Sequence, residues 1–487
     1  VIPVKFYNTL TRRKEEFVPL EDRVVKMYAC GPTVHDRFTI GNARAFLTFD
    51  AIRRYLEFKG YRVIYTQNIT DIEDKIINRA RELGVPAEEL AQRYTEAFLE
   101  DSRRLGVDPP THQPKATEMV PQIIEFIQDL IDKGYAYAVD GDVYYRVRRF
   151  KEYGKLSGKR LEDLEAGARV EVDERKEDPL DFALWKAAKP GEPSWESPWG
   201  EGRPGWHIEC SVMAITTLGE TIDIHGGGAD LIFPHHENEI AQSEAKTGKP
   251  FARFWLHNGL LLIGKQEMHK SLGNFEYAKD IVERYGREAV RLFFLSKHYR
   301  KPVNFTYEAL EEAQSAVERV YNLLEEIEFE LKRHDNEPRL SDRGRVFLNY
   351  LKGVRVEFER EMDDDFNTAG GISVIFELVR RTNTFKRELA EQDLPLLERA
   401  AVLIKELGKP LGLFQEEPKA RAKAAIAGTA RISAGLPEEL IDLLVEVRSE
   451  LRTKGEFALA DRIRARLNDL GIELRDKGAG THWSLKR

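Results

Sequence analysis

Between residues 24 and 66 the chain changes periodicity twice, and no other feature limits its possible folds so strongly. Residues 24–29 (VVKMYA) read as a buried strand, and Cys30-Gly31-Pro32 ends it in a turn. Gly41-Asn42 then opens a helix in which Phe46, Phe49, Ile52 and Leu56 recur on one face. Gly60 closes it, and residues 61–66, rich in aromatic and β-branched side chains, read as the next strand. Strand, helix and strand in this order make one unit of a parallel sheet. Such sheets bind ligands beyond the C-terminal ends of their strands. Cys30 and the Gly41-Asn42 turn both fall at such an edge.

The pattern is then interrupted. Residues 113–205 hold a helical stretch (119–133), a hairpin-like piece (137–148) and a loop rich in proline, glycine and tryptophan (189–205). They read as an insertion between two halves of one sheet. The second half resumes at 221–225, a short strand running into Gly226-Gly227-Gly228. Beyond about Tyr307 the segments are long, apolar at helical period and poor in glycine. The expected class is α/β: a Rossmann-type parallel-sheet domain with an insertion, then a helical bundle and a small C-terminal unit. Its parts are 1–112 and 206–306 for the two halves of the sheet domain and 113–205 for the insertion. The helical region is 307–417, an Ala/Arg-rich flexible linker is 418–435, and a small helical unit is 436–487. A chain of 487 residues has room for roughly three cores at about 150 residues each.

Composition narrows the function classes. No run of about 18 apolar residues is present, as a membrane span requires. Residues 1–26 lack the apolar stretch of a secretory signal, so a cytoplasmic enzyme, acting as a monomer, is the expectation. A net charge of −8 argues against a general polyanion binder. Nucleic acid stays open through local basic clusters, Arg146, Arg148, Arg149 and Lys151 in one and Lys419, Arg421, Lys423 and Arg431 in another. A solvated face explains such clusters equally well.

Chemistry concentrates in residues 203–274, which hold six of the eleven histidines. Three consecutive glycines, Gly226 to Gly228, remove every Cβ, so a flat ring could lie against the backbone, with Asp230 accepting from a ribose hydroxyl; a tight irregular turn is the alternative. With Pro234 at the first position of a helix, His235 and Glu239 sit four apart on one face, the spacing at which two side chains meet one ion. Cys210 and Cys30, the chain's two cysteines, could add two thiolates, a donor set that suits Zn²⁺. Spacing alone serves a structural zinc or a core cysteine pair equally well. Residues 264–274 read as a mobile loop that could carry Lys270 to a polyphosphate, where an ordinary solvated lysine is the alternative.

Several stretches together resemble the cysteinyl-tRNA synthetases. They are residues 28–44 (YACGPTVHDRFTIGNAR), 68–75 (NITDIEDK), 178–186 (DPLDFALWK), 203–210 (RPGWHIEC), 223–244 (DIHGGGADLIFPHHENEIAQSE) and 362–368 (MDDDFNT). The resemblance implies a class I synthetase with a connective insertion, a stem-contact and helical anticodon-side region, and a C-terminal tRNA-binding unit. It implies one Zn²⁺ held by Cys30, Cys210, His235 and Glu239 and bound to the substrate's own thiolate, with Cys30 and Trp206 lining the cysteine pocket. It implies Mg²⁺ with ATP, adenosine at Gly226, Gly227, Gly228 and Asp230, and phosphates at Gly41 and the adjoining helix terminus. The implied substrates are ATP, L-cysteine and cysteine tRNA, with Asp461, Arg462 and Trp483 at the anticodon.

Two motifs depart from the family pattern. The HIGH motif reads Thr39-Ile40-Gly41-Asn42, and the KMSKS motif reads Glu267-Met268-His269-Lys270-Ser271. Thr39, Asn42 and Lys270 are the expected catalytic positions. Threonine replaces a donor to phosphate, and losing one such donor costs about 3–4 kcal/mol at a transition state. Three other readings follow from these departures and from the zinc constellation: a cysteine ligase with a small amine acceptor, a regulatory paralogue, and a zinc-stabilised structural protein. The long helical C-terminal region speaks against the first, the zinc ligands against the second and the glycine run against the third.

Overall fold

The structure is a computed structural model that describes residues 3–162, 174–264, 266–267, 273–331, 340–416, 438–477 and 480–485. Lys270, with Met268, His269 and Ser271, lies outside the described residues, as do the linker 418–435 and its basic cluster Lys419, Arg421, Lys423 and Arg431. By internal contacts the chain divides into Val1–Phe414 and Gln415–Arg487.

At the centre of the first unit is a parallel sheet of four strands. Val24–Ala29 pairs with Arg62–Gln67 on one side and with Ile222–Gly228 on the other, and Ala252–Asn258 completes the far edge. Numbered along the chain, the order is fourth, third, first, second. Connections from the two central strands therefore leave in opposite directions, which opens a crevice at their C-terminal ends. Alternate residues face opposite sides. Met27, Ala29, Ile224 and Leu256 pack in one core with Phe46, Leu47 and Ile52 of the helix Ile40–Phe58. Tyr28 and Trp255 pack in another with Ile208, Val212 and Met213 of the helix Trp206–Leu218. Both faces are covered, as a parallel sheet requires.

The insertion forms its own antiparallel sheet in the order Ala136–Val139, Asp142–Tyr145, Phe182–Ala187, Gly202–Pro204. Asp140 and Gly141 turn the first hairpin, both at positive φ (49° and 87°), which matches the right-handed twist of the strands. Four long helices follow the sheet: Tyr307–Leu331, Asp342–Asp363, Thr368–Lys386 and Leu394–Gly408. Apolar faces carrying Val317, Leu351, Leu378 and Leu397 join the first core. Between the second and third helices, Asp365 and Phe366 hold positive φ (61° and 48°). The Asp365 carboxylate secures that turn, accepting from Tyr7 N (2.8 Å), the Tyr299 hydroxyl (2.8 Å) and Arg300 Nε (2.7 Å).

Four expectations need correction. The helix begins at Ile40, because Thr39 rather than Gly41 caps it. The strand expected to end at His225 runs on through the triple glycine to Gly228, in register with Leu256, His257 and Asn258. Pro234 does not open a regular helix: Ile232–His236 is a π-turn, and the α-helix starts at Glu237. The C-terminal unit is not all helical. Its helices Glu438–Thr453 and Phe457–Asp469 are followed by a hairpin, Ile472–Lys477 with Gly480–Leu485, around a small core of Ile441, Leu467, Ile472 and Leu474. Among the described residues no helix is long and apolar enough to cross a membrane.

A buried ion cluster joins the sheet domain to the end of the helical region. Asp50 Oδ2 accepts from Arg54 Nε (2.8 Å) and Arg291 Nη2 (2.6 Å), while Arg291 Nε donates to Leu411 O (2.9 Å). Asp50 and Arg291 are each 1% exposed, so losing Arg291 leaves Asp50 with only the partly exposed Arg54 as its cation. Arg291→Met is expected to lower stability by about 3–5 kcal/mol. Breaking the exposed Arg380–Glu377 pair should change it by no more than about 1 kcal/mol. Urea unfolding of the two variants measures the contrast.

Candidate active site and metal centre

Cys30 directly follows the strand Val24–Ala29, and its N–H donates to Gly226 O (3.2 Å) in the neighbouring strand. The adjacent Gly31 has no room for a side chain, since a Cβ would overlap the carbonyl oxygen of Asn68. A hydrogen-bonded line backs this turn. Gly31 N donates to Asn68 Oδ1 (2.8 Å), Asn68 Nδ2 to Thr70 Oγ1 (3.2 Å), and Thr70 Oγ1 to Glu209 Oε2 (2.9 Å). Glu209 is fully buried, and burial raises its pKa. It stands next to Cys210 on the helix Trp206–Leu218, so this line ties the two cysteine-bearing segments together.

The two sulfurs lie 3.9 Å apart. Glu239 Oε1 is 3.5 Å from Cys30 Sγ and 3.1 Å from His235 Nε2. The donor atoms of Cys30, Cys210, His235 and Glu239 all fall within 4.8 Å of one another. A tetrahedral zinc with Zn–S bonds of ~2.3 Å has an S···S edge of ~3.8 Å, so this donor set fits such an ion. Cys30, His225, His236 and Glu239 form an overlapping set. The first set is better supported by its surroundings. His225 Nε2 is 2.7 Å from Glu239 Oε2, orienting the carboxylate while Oε1 faces the thiolates. His235 is in turn held by His207, 2.9 Å between the two Nδ1 atoms, and stacked on Trp206 at 4.4 Å.

Burial and charge decide the protonation of the group. Burial would raise the Glu239 carboxyl, but His225 and His235 beside it hold it well below the usual range. Burial pushes His235 down, yet Glu239 and Cys210 together raise it to about 10. The hydrogen bond from Cys30 lowers Cys210 to about 6 against burial, while burial and the neighbouring Cys210 drive Cys30 up. The pair therefore behaves as one thiol and one thiolate. A second line leads outward: Cys30 Sγ is 3.3 Å from His236 Nε2, His236 Nδ1 2.8 Å from His257 Nε2, and His257 Nδ1 2.8 Å from Thr9 Oγ1. Burial, reinforced by His225, lowers His257 to about 3, so its imidazole is neutral.

Around this centre stand the other expected positions. Trp206 is half-buried against His235. The glycines serve the chain's own packing: a Cβ on Gly226 would strike the Phe49 ring, and one on Gly227 would crowd Leu231 and His236. Asp230 is exposed just past the strand. Thr39 and Asn42 form a capping box, with Asn42 N donating to Thr39 Oγ1 (3.3 Å) and Thr39 N donating to Asn42 Oδ1 (3.1 Å). The Thr39 hydroxyl also donates to Asn42 Oδ1 (3.0 Å), so both side chains serve the helix terminus. Ile40 N donates to Glu276 O (2.9 Å) and Ala278 N to Phe38 O (3.2 Å), tying the segment after 268–272 to that terminus. In the C-terminal unit Asp461 and Arg462 are exposed, whereas Trp483 is half-buried and donates from Nε1 to Asp442 Oδ1 (2.8 Å).

Sequence reasoning did not assign roles to His207, His225, His236 and His257, nor to Asn68, Thr70 and Glu209. The crowding of histidines in 203–274 was the available signal for the first four. The second group is visible only when the strands are brought together.

Comparison with known proteins identifies the family. Residues 16–315 match the family model described as the tRNA synthetases class I (C) catalytic domain, and 357–415 match the DALR domain. The fold is also that of a methionyl-tRNA synthetase from Mycobacterium tuberculosis solved with methionyl-adenylate (TM-score 0.61, 16% identity, 83% of this chain and 96% of that one). A putative arginyl-tRNA synthetase from Campylobacter jejuni aligns with TM-score 0.57 and 13% identity over 80% and 93% of the chains. Fold and family model together define a class I tRNA synthetase. The chain is 52% identical to a cysteine–tRNA ligase from Caldicellulosiruptor saccharolyticus, over 98% of this chain and 99% of that one, and it belongs to the cysteine–tRNA ligase family.

The two overlapping donor sets are separable by substitution. His235→Ala is expected to abolish retention of one metal equivalent per chain, while His236→Ala keeps it, as read by elemental analysis after gel filtration. Loading should weaken as pH falls below about 6, where Cys210 takes up its proton.

Proposed function

We propose that this chain activates L-cysteine with ATP and transfers it to the 3′ end of cysteine tRNA, the reaction for which its family is named. The observation that carries the proposal is the group of half-buried Cys30 with buried Cys210, His235 and Glu239 at the crevice of the parallel sheet, with half-buried Trp206 beside it. Two thiolates, an imidazole and a carboxylate suit one Zn²⁺, which when bound supplies a soft Lewis acid for the thiolate of the substrate. Serine offers a hydroxyl in place of that thiolate, and a site built on a bond the competitor lacks rejects it without editing.

The remaining chemistry is positioning and charge. The substrate carboxylate attacks the α-phosphorus of ATP, and the terminal ribose hydroxyl of the tRNA then attacks the carbonyl of the adenylate. Neither step requires a covalent bond to the protein. Gly226, Gly227 and Gly228, with Asp230, are the proposed seat of adenosine. Gly41 and the positive dipole end of the helix Ile40–Phe58 face the phosphates. In this chain Thr39 and Asn42 act by holding that terminus. Lys270 is the proposed cation for departing pyrophosphate, with Mg²⁺ on the ATP. Its loop runs into the segment hydrogen-bonded to the same helix terminus. Asp461, Arg462 and Trp483 are proposed at the anticodon, Trp483 through the exposed part of its ring. Two cysteines kept as ligands suit a reducing, cytoplasmic setting.

Pyrophosphate–ATP exchange by the metal-loaded protein is the test. Exchange is expected with L-cysteine, exceeding that with L-serine by a factor on the order of 10⁴. Absence of cysteine-dependent exchange in folded, metal-loaded protein, with and without tRNA, would overturn the proposal and favour a regulatory paralogue.

A further inference from the structure

A cavity of about 420 Å³ opens in the first unit where three segments meet, and it shares no residue with the metal centre. One wall is Lys14, from the hairpin Lys5–Asn8 with Arg13–Glu16. A second is the segment after the helix Arg287–Leu295, bearing Lys297, His298 and Lys301. The third is the turn before the helix Thr368–Lys386, bearing Asp364 and Asn367. Three lysines thus line one cavity against a single carboxylate. Asp364 engages Lys14 at 2.6 Å, with side chains 58% and 41% exposed, so the pair is open to solvent and to competition. Asp365, the next carboxylate along the chain, is engaged by His298 (3.5 Å) and Arg300 (2.7 Å). The walls are firm, because Asp365, next to Asp364, is bonded to Tyr7, Tyr299 and Arg300.

Such a cavity recognises a phosphate dianion or diester. The apolar part of its lining is Pro302 and Ala369; no Phe, Tyr or Trp lines it, and its one ring, His298, is already stacked on Tyr299 at 5.0 Å. A nucleotide cofactor would leave its base unrecognised here, whereas a backbone phosphate needs nothing more, and such contacts fix register without reading sequence. We propose that this cavity is a phosphate-binding site that takes a backbone phosphate of the RNA substrate, with Lys297 and Lys301 as the cations and Asp364 as a competing anion that the phosphate displaces from Lys14. The inference rests on the reading above that RNA is the acceptor.

The test compares the full-length unaltered protein with a Lys297→Ala, Lys301→Ala double variant and with Asp364→Asn. Pyrophosphate exchange without RNA should be unchanged in all three, which also reports folding. The double variant should raise the KM for cysteine tRNA on the order of ten-fold and flatten the log–log salt dependence of tRNA binding by about 1–2 units. Asp364→Asn should move the KM the opposite way, a reversal that loss of structure cannot produce. An unchanged KM and salt slope in the double variant would overturn the inference, as would a KM that rises in both variants. Inorganic phosphate tests the other source of the same chemistry. Micromolar binding of phosphate to the unaltered protein, lost in the double variant while the tRNA KM stays the same, would assign the cavity to a free anion and overturn the RNA reading. If the unaltered protein fails pyrophosphate exchange, the proposed activity falls, while filter retention of tRNA still decides this site.

Discussion

A carboxylate with no access to water organises the catalytic half of this protein. Glu239 is fully buried, and an ionised carboxyl there is tolerable only if its oxygens are met by cationic or donor partners. His225 meets Oε2, and His235 meets Oε1. Each histidine is then fixed by something else: His225 lies flat on Trp255 at 4.4 Å, and His235 is stacked on Trp206 and bonded to His207. The cluster is thus a nested set of constraints around one charge. A divalent cation at the same place would relieve the anionic excess of two sulfurs and a carboxylate.

That arrangement is possible because the first and third strands of the sheet are neighbours. Their pairing sets Tyr28 against His225 and Ala29 against Gly226, so Cys30 emerges beside the glycine run. Glycine is needed on both sides of this junction. Gly31 lets the backbone pass the Asn68 carbonyl, and Gly226 admits the Phe49 ring from the helix below.

Much of this was readable in the amino-acid sequence, for reasons that differ by element. The switch from strand to helical period located the parallel unit, because burial on both faces leaves an apolar run that no other element needs. The grouping of Cys30, Cys210, His235 and Glu239 was legible because thiol, imidazole and carboxylate are scarce and chemically specific, and their resemblance to a known family joined segments that spacing could not. Local geometry was less legible. Three glycines carry no side-chain pattern, so nothing in them distinguishes a strand from a turn; the pairing with Leu256, His257 and Asn258 does. Thr39 reads as a lost phosphate donor until its bonds to Asn42 are seen. Nothing in the sequence shows that the terminal hairpin turns Trp483 towards Asp442.

The distance along the chain between the residues of this group also bears on how the protein is made. Cys30 meets Cys210 across 180 residues and Glu239 across 209. At a synthesis rate of about 5–20 residues per second, its partners leave the ribosome roughly 10–40 s after it does. During that interval the nascent polypeptide carries a lone thiol with no companion donors. Assembly of this four-residue group is therefore a late event in biosynthesis, and thiol-reactive chemistry has its best opportunity before the second half of the sheet has been translated.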